Sequence, residues 1–146
     1  LYTNPDRTKV NISAALLSRL AEIDNIVGIK DSSGDLTLTT EYLSAVPADF
    51  SVVMGRDTMI FAGLLHGAKG AIAATANVVP ALVAEIYNCF IRGDLEAARK
   101  AQEALAPLRL AFTWGTFPVV IKEALNLLGM DAGPARSPTG PMSVNL

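Results

Sequence analysis

The chain has 146 residues, one cysteine, one histidine and a net charge of -2, and half of its residues are apolar. Such a chain can bury a real core, which excludes intrinsic disorder, a disulfide framework and a thiolate metal site. Acids and bases are interspersed, no apolar run reaches membrane-spanning length and there is no signal peptide, so a cytoplasmic protein that engages neither nucleic acid nor membrane is expected.

Residues 1–3 read as the end of a strand, and residues 4–8 as a loop by composition. Asn11 or Ser13 can cap a helix to about Glu22, with Leu16, Leu17 and Leu20 as its apolar face. A strand follows over 25–30. Asp35 caps a helix to about Val46, ended by Pro47. A third strand covers 50–54. Asp57 caps a helix through His66, which Gly67 stops. Residues 70–76 form a strand of small residues, and Pro80 begins a helix to about Arg92, in which Cys89 is a small core residue. Beyond it the pattern is helical, with helices begun by Asp94 and Pro118, and a Gly- and Pro-rich stretch over 133–141.

Strands that alternate with helices and read as continuously apolar argue for an α/β fold with a parallel sheet and right-handed crossovers. Three or four such units do not close a barrel. The chain opens on Leu1, with no initiator methionine, at what reads as the end of a strand. A small doubly wound domain is one solution. The missing start favours the other: residues 1–92 as the second half of a TIM barrel and 93–146 as a helical extension.

In either fold the chemistry gathers at the C-terminal ends of the strands. Lys30 ends the run Asn25-Ile-Val-Gly-Ile29 and precedes Asp31-Ser-Ser-Gly-Asp35. It shares strand parity with Ile26 and Gly28, so Gly28 leaves room beside the amine. An ammonium at the rim of an apolar interior is costly, which favours the neutral amine, a nucleophile toward carbonyl carbon. The ordinary alternative is a lysine that snorkels to solvent. The same rim carries Tyr2, Arg7, Gly55 and the compact segment Ala71-Ile72-Ala73-Ala74. A phenol, a guanidinium and an amine suit an α-keto acid: the amine attacks the ketone, the phenol moves protons and the guanidinium pairs with a carboxylate. No metal or bound cofactor is called for, because a covalent lysine imine is itself the electron sink. Each residue also has a plainer reading. Tyr2 can be a strand-end aromatic, Arg7 a solvated loop charge and Gly55 a turn glycine. Asp31, Asp35 and Asp57 read as caps or loop formers, His66 as a cation at a helix C-terminus, and Phe112, Trp114 and Phe117 as packing between tail helices. The charges of the helix over 94–112 form a solvated face.

Tyr2-Thr-Asn-Pro-Asp-Arg-Thr8 followed by Val27-Gly-Ile-Lys-Asp-Ser-Ser-Gly-Asp35 resembles the pyruvate-dependent class I aldolase family of dihydrodipicolinate synthase and N-acetylneuraminate lyase. Met54-Gly-Arg-Asp57, Leu65-His-Gly-Ala-Lys-Gly-Ala71, Ala76-Asn-Val-Val-Pro80 and Gly93-Asp94 continue the resemblance in family order to the end of the chain. It implies part of a (β/α)8 barrel, from the end of strand 5 through strand 8, and a three-helix extension. Lys30 would be the Schiff-base lysine, Tyr2 the proton-relay phenol and Arg7 the residue that binds the second substrate's carboxylate. Gly55 and Ile72 would line the lysine pocket. The family's threonine pair and a tyrosine from a neighbouring subunit belong to the first half of the barrel, so the site needs that N-terminal half. A homo-oligomer, dimer or tetramer, is implied.

Within the family, sialic-acid lyases carry Gly-x-Asp-Glu where this chain has Gly55-Arg56-Asp57-Thr58, and a serine where it has Ala74. Losing both polar groups argues against a long sugar acid, and Arg7 argues for an aldehyde that bears a carboxylate. Dihydrodipicolinate synthase-like members, which condense pyruvate with aspartate semialdehyde, are the first expectation. The motif departs from the family at Thr3, with Asn4 one place late. Ala132-Gly-Pro-Ala-Arg136 resembles 4-hydroxy-2-oxoglutarate aldolases, so that activity, or cleavage of a 2-keto-3-deoxy sugar acid, is the alternative. A reading of another class is a non-catalytic half-barrel that serves as a scaffold or oligomerisation fragment. It fails if about 140 residues of β/α chain precede Leu1 in the intact polypeptide.

Overall fold

A computed structural model describes residues 1–142. Four parallel strands lie side by side in chain order: β1 (Tyr2–Thr3), β2 (Gly28–Asp31), β3 (Ser51–Met54) and β4 (Gly70–Ala71). Helices α1 (Pro5–Thr8) and α2 (Ala14–Leu20) follow β1, α3 (Leu36–Ala45) follows β2, α4 (Ile60–His66) follows β3 and α5 (Pro80–Ile91) follows β4. The tail adds α6 (Leu95–Ala111), a 3-10 turn at Phe112–Trp114 and α7 (Val119–Leu127). Among the described residues, no helix is long and apolar enough to cross a membrane.

Three elements differ from the sequence reading in extent or type, and the role of Asp57 differs as well. Residues 4–8 are not loop throughout. Pro5 sets φ at the first helical position, and the Arg7 and Thr8 amides donate to Asn4 O, both at 2.9 Å, closing a single helical turn. The second strand starts at Gly28, because residues 23–26 are still in a turn closed by Ile26 N to Ile23 O at 2.8 Å. The fourth strand is cut to two residues because Ala74–Asn77 winds into a 3-10 turn.

Asp57 is the cause of that last difference. It does not cap a helix. Its carboxylate is buried and accepts the Thr75 amide at 2.7 Å, which pins the turn after β4 to the turn after β3. The other caps are as the sequence indicates. Ser13 accepts from Leu16 N, Asp35 from Thr37 N and Leu38 N, and Asp94 from Ala97 N. Gly67 takes a left-handed conformation (φ 106) just after His66.

Register separates the two faces of the sheet. Thr3, Asp31 and Met54 lie in one row, with Ile29 and Val52 on the same side, and all five are buried beneath the helices. Leu17, Tyr42 and Phe50 close the core under α2 and α3. Gly63 lets α4 lie directly on β3, since a Cβ there would overlap the Met54 side chain. Ile60, Leu64, Ile86, Ala101 and Leu105 join α4, α5 and α6 in a second core, in which Cys89 is also fully buried nearby. Val78, Phe112, Val120 and Ile121 seat α7. The opposite row, Tyr2, Lys30, Val53 and Gly70, faces away from the helices and is only partly covered.

Candidate active site

The C-terminal ends of the strands open into a cleft of about 330 Å³. Tyr2, Arg7, Lys30, Gly55 and Ile72 all line it, so the fold brings the five sequence-derived residues to one place. They arrive by register. Tyr2 pairs with Lys30 across adjacent parallel strands and therefore points to the same face. Lys30 Nζ lies 4.6 Å from the centre of the Tyr2 ring. It forms no ion pair among the described residues. An amine carried by a sheet, above an aromatic face and without a neutralising carboxylate, is placed to react with an incoming carbonyl group.

The Tyr2 hydroxyl accepts two hydrogen bonds, from Asn4 Nδ2 at 2.8 Å and from Ser32 Oγ at 3.5 Å. An oxygen that already accepts twice keeps its own hydrogen for a third partner in the cleft. The Ser32 hydroxyl is the largest influence on the phenol; desolvation, the next largest, opposes it, and with the Asn4 amide and the charges of Lys30 and Arg56 the balance holds the phenol below the usual tyrosine value. The displaced asparagine of the sequence motif thus has a use, since Asn4 reaches the phenol from its own position. Thr3 turns its side chain beneath the helices instead.

Gly55 is tight for steric reasons. Its amide donates to Asp31 O at 2.6 Å, and a Cβ at this position would overlap Ser32 Oγ and stand 3.0 Å from Lys30 Cε. The lysine stem therefore lies against a bare backbone. The segment after Lys30 is fixed in turn by Asp31, whose buried carboxylate accepts from Ser33 N at 2.8 Å and from Thr39 Oγ1 at 2.6 Å. Ile72 is held at the rim by donation of its amide to Met54 O at 2.8 Å, with its side chain more than half exposed.

Two contributions escape the sequence reading. The tail supplies one wall: Arg109, Phe112 and Phe117 line the cleft. Phe112 packs in the tail as expected, but its ring and that of Phe117, 6.4 Å apart between centres, also face the cleft, and Arg7 Cζ lies 6.0 Å from the Phe117 centre. Trp114 is exposed and takes no part in the lining. The second contribution is Arg56, which donates from Nε to Ser32 O at 3.0 Å and forms an ion pair with Asp6. Its position between Gly55 and Asp57, just beyond a strand end, was the available signal. Arg7, Lys30, Arg56 and Arg109 outnumber the cleft's acids, Asp6 and Asp57, and both acids are engaged. The cleft is therefore cationic and suits a carboxylated ligand. Among the described residues, no group of three His, Cys, Asp or Glu side chains could hold a metal ion.

A model of the dihydrodipicolinate synthetase family matches residues 1–145. The chain is 41% identical over 143 residues to a 4-hydroxy-tetrahydrodipicolinate synthase of Archaeoglobus fulgidus, a match that covers 98% of this chain and 50% of that one. It superposes on a dihydrodipicolinate synthase of Bacillus anthracis with a TM-score of 0.94 at 33% identity, over 99% of this chain and 49% of the other. A prophage protein of the same family from E. coli K12, solved in complex with pyruvate, gives a TM-score of 0.92 at 29% identity, with coverage of 99% and 50%. The chain spans about half the length of the curated relatives it matches. Its sheet and helices correspond to part of a TIM barrel with the helical tail that follows it.

Proposed function

The chain belongs to the dihydrodipicolinate synthetase family, and on that premise we propose that it supplies the Schiff-base half of the active site of a pyruvate-dependent lyase. Lys30 Nζ adds to the ketone carbon of pyruvate, and loss of water leaves an iminium. That iminium draws electrons from the methyl carbon, which sheds a proton to become an enamine. The enamine carbon then bonds to the aldehyde carbon of the second substrate, whose oxygen takes up a proton, and water adds to the iminium so regenerated, releasing the keto product and the Lys30 amine. Cleavage is the same sequence reversed. Tyr2 donates and recovers the protons, Arg7 pairs with the carboxylate of the aldehyde substrate, and Gly55 and Ile72 shape the pocket around the amine. The lysine imine is the electron sink, so the chemistry asks for no separate cofactor.

The observation that carries this reading is Lys30 Nζ at 4.6 Å from the Tyr2 ring, without an ion-pair partner among the described residues, and the Tyr2 hydroxyl held by two donors. The first activity is that of 4-hydroxy-tetrahydrodipicolinate synthase, pyruvate with aspartate semialdehyde, a step of lysine biosynthesis, supported by the relatives of that name. The tail segment Ala132–Arg136 supports 4-hydroxy-2-oxoglutarate cleavage as the second reading. The working enzyme also requires the first half of the barrel, acts in the cytoplasm and is a homo-oligomer. Pyruvate with borohydride, applied to the protein as its gene encodes it, should fix a reduced adduct on Lys30. An adduct on Lys9, Lys69, Lys100 or Lys122 instead overturns the assignment.

A further inference from the structure

Arg56 enters the cleft from the turn after β3, yet its contacts are with the two neighbouring loops. Nε donates to Ser32 O at 3.0 Å, and Nη2 meets the Asp6 carboxylate. Its stem lies along Gly34, where a Cβ would come within 3.1 Å of Arg56 Nε and 3.7 Å of Arg56 Cγ. Only a quarter of the side chain is exposed, although its head stands at the rim. Ser32 sends its hydroxyl to the Tyr2 oxygen, and Asn4, two residues before Asp6, donates to the same oxygen. Both hydrogen-bond donors to Tyr2 are therefore carried on segments that Arg56 grips.

We propose that Arg56 is a positioning residue, which ties the loop after β1 to the loop after β2 and so holds Tyr2 in register above Lys30. The guanidinium is spent on this bridge: Asp6 offsets its charge and Ser32 O takes one edge of the fork, so substrate recognition falls to Arg7. A lysine could not do the same, since one ammonium cannot reach a carbonyl and a carboxylate on separate loops from a fixed fork. The role rests on the reading of Tyr2 as the proton donor.

The test uses the protein as its gene encodes it, with Arg56→Ala, Arg56→Lys, Asp6→Ala, the milder Asp6→Asn, and the double variant that combines Asp6→Ala with Arg56→Ala. Two readouts are kept apart: steady-state kinetics, and NMR titration of 13C-labelled tyrosine with the Tyr2 signal assigned by its loss in Tyr2→Phe. Both Arg56 variants should lower kcat by about 10- to 100-fold, the scale of a misplaced catalytic group, while pyruvate still traps on Lys30. The Tyr2 titration should move upward in both. Asp6→Asn should fall between them and the parent, and the double variant should be no worse than Arg56→Ala alone. A raised KM for the aldehyde with unchanged kcat and an unmoved Tyr2 titration would show that Arg56 touches substrate instead, and would overturn the proposal. Additive losses in the double variant overturn it too. Failure of the parent protein to trap pyruvate sinks the lyase reading alone, because the titration still decides whether Arg56 holds Tyr2.

Discussion

Gly55→Ala adds one methyl group at the most crowded point of the cleft. The new carbon would overlap Ser32 Oγ and sit 2.9 Å from Asp31 O and 3.0 Å from Lys30 Cε. Carbon atoms pack best at about 3.5–4.0 Å, so Lys30 must retreat by about 0.5–1 Å. The Asp31 carbonyl cannot share the adjustment easily. It takes the Gly55 amide at 2.6 Å, and its own side chain is anchored by Ser33 N and Thr39 Oγ1. The side chains of Ser32 and Lys30 therefore yield, and with them the placement of the amine beside Tyr2. Overpacking of this kind costs about 1–3 kcal/mol. A reacting amine displaced by about 1 Å costs about 10²-fold in rate. Urea unfolding reads the first effect, and the initial rate of the borohydride-trapped pyruvate adduct, followed by mass spectrometry, reads the second. An unchanged midpoint together with an unchanged adduct rate would refute the packing argument. A lowered midpoint with a full adduct rate would refute the claim that Lys30 is the group that moves.

Tyr2→Phe keeps the ring over Lys30 and removes the proton, so turnover should drop by about 10²-fold or more, and an unchanged kcat would make the phenol structural. Ser32→Ala removes the largest influence that lowers the Tyr2 phenol. The proton-donating form exists below the phenol's pKa, so the high-pH limb of kcat should lie below the ordinary value of about 10 in the parent and move upward in the variant. A pH profile that does not shift would detach that limb from Tyr2. Arg7→Ala should weaken a carboxylated aldehyde by about 2–3 kcal/mol and pyruvate far less, measured as separate KM values for aspartate semialdehyde condensation and 4-hydroxy-2-oxoglutarate cleavage. Equal losses for both substrates, or turnover of a neutral aldehyde alone, would return Arg7 to the status of a loop charge.

What the chain discloses to a reader of its sequence follows from the range of each interaction. Lys30 was legible because strand parity and the break at Asp31 act within a few residues. Tyr2 follows because one register shift would have turned it to the buried side with Thr3. The caps at Ser13, Asp35 and Asp94 are local hydrogen bonds and were equally readable. Asp57 was misread for the same reason. Its residue type fits a cap, but its partner is Thr75, brought near only when the strands align. Arg56 goes unread, and Phe117 reads only as tail packing, because their contacts with Asp6 and Arg7 join segments far apart in the chain. The short helix at Pro5 shows the opposite error, in which a loop-like composition hid a proline suited to a first helical turn.

Gln102 on α6 has a side chain that both gives and receives: its Nε2 donates to Asp57 O at 2.9 Å, and its Oε1 accepts from Phe61 N at 3.0 Å. The first turn of α4, which has no side-chain cap of its own, thus borrows one from the tail. Arg109 and Phe112 lie about two to three turns farther along the same stretch of helix and turn, in the wall of the cleft. Anchorage and the lining of the cleft are thereby divided between different stretches of one structural arm. Evolution, or a library built on positions 109, 112 and 117, can reshape the cleft wall while Gln102 keeps the arm seated. Lys30 and Tyr2, on the strands across the cleft, stay outside that trade.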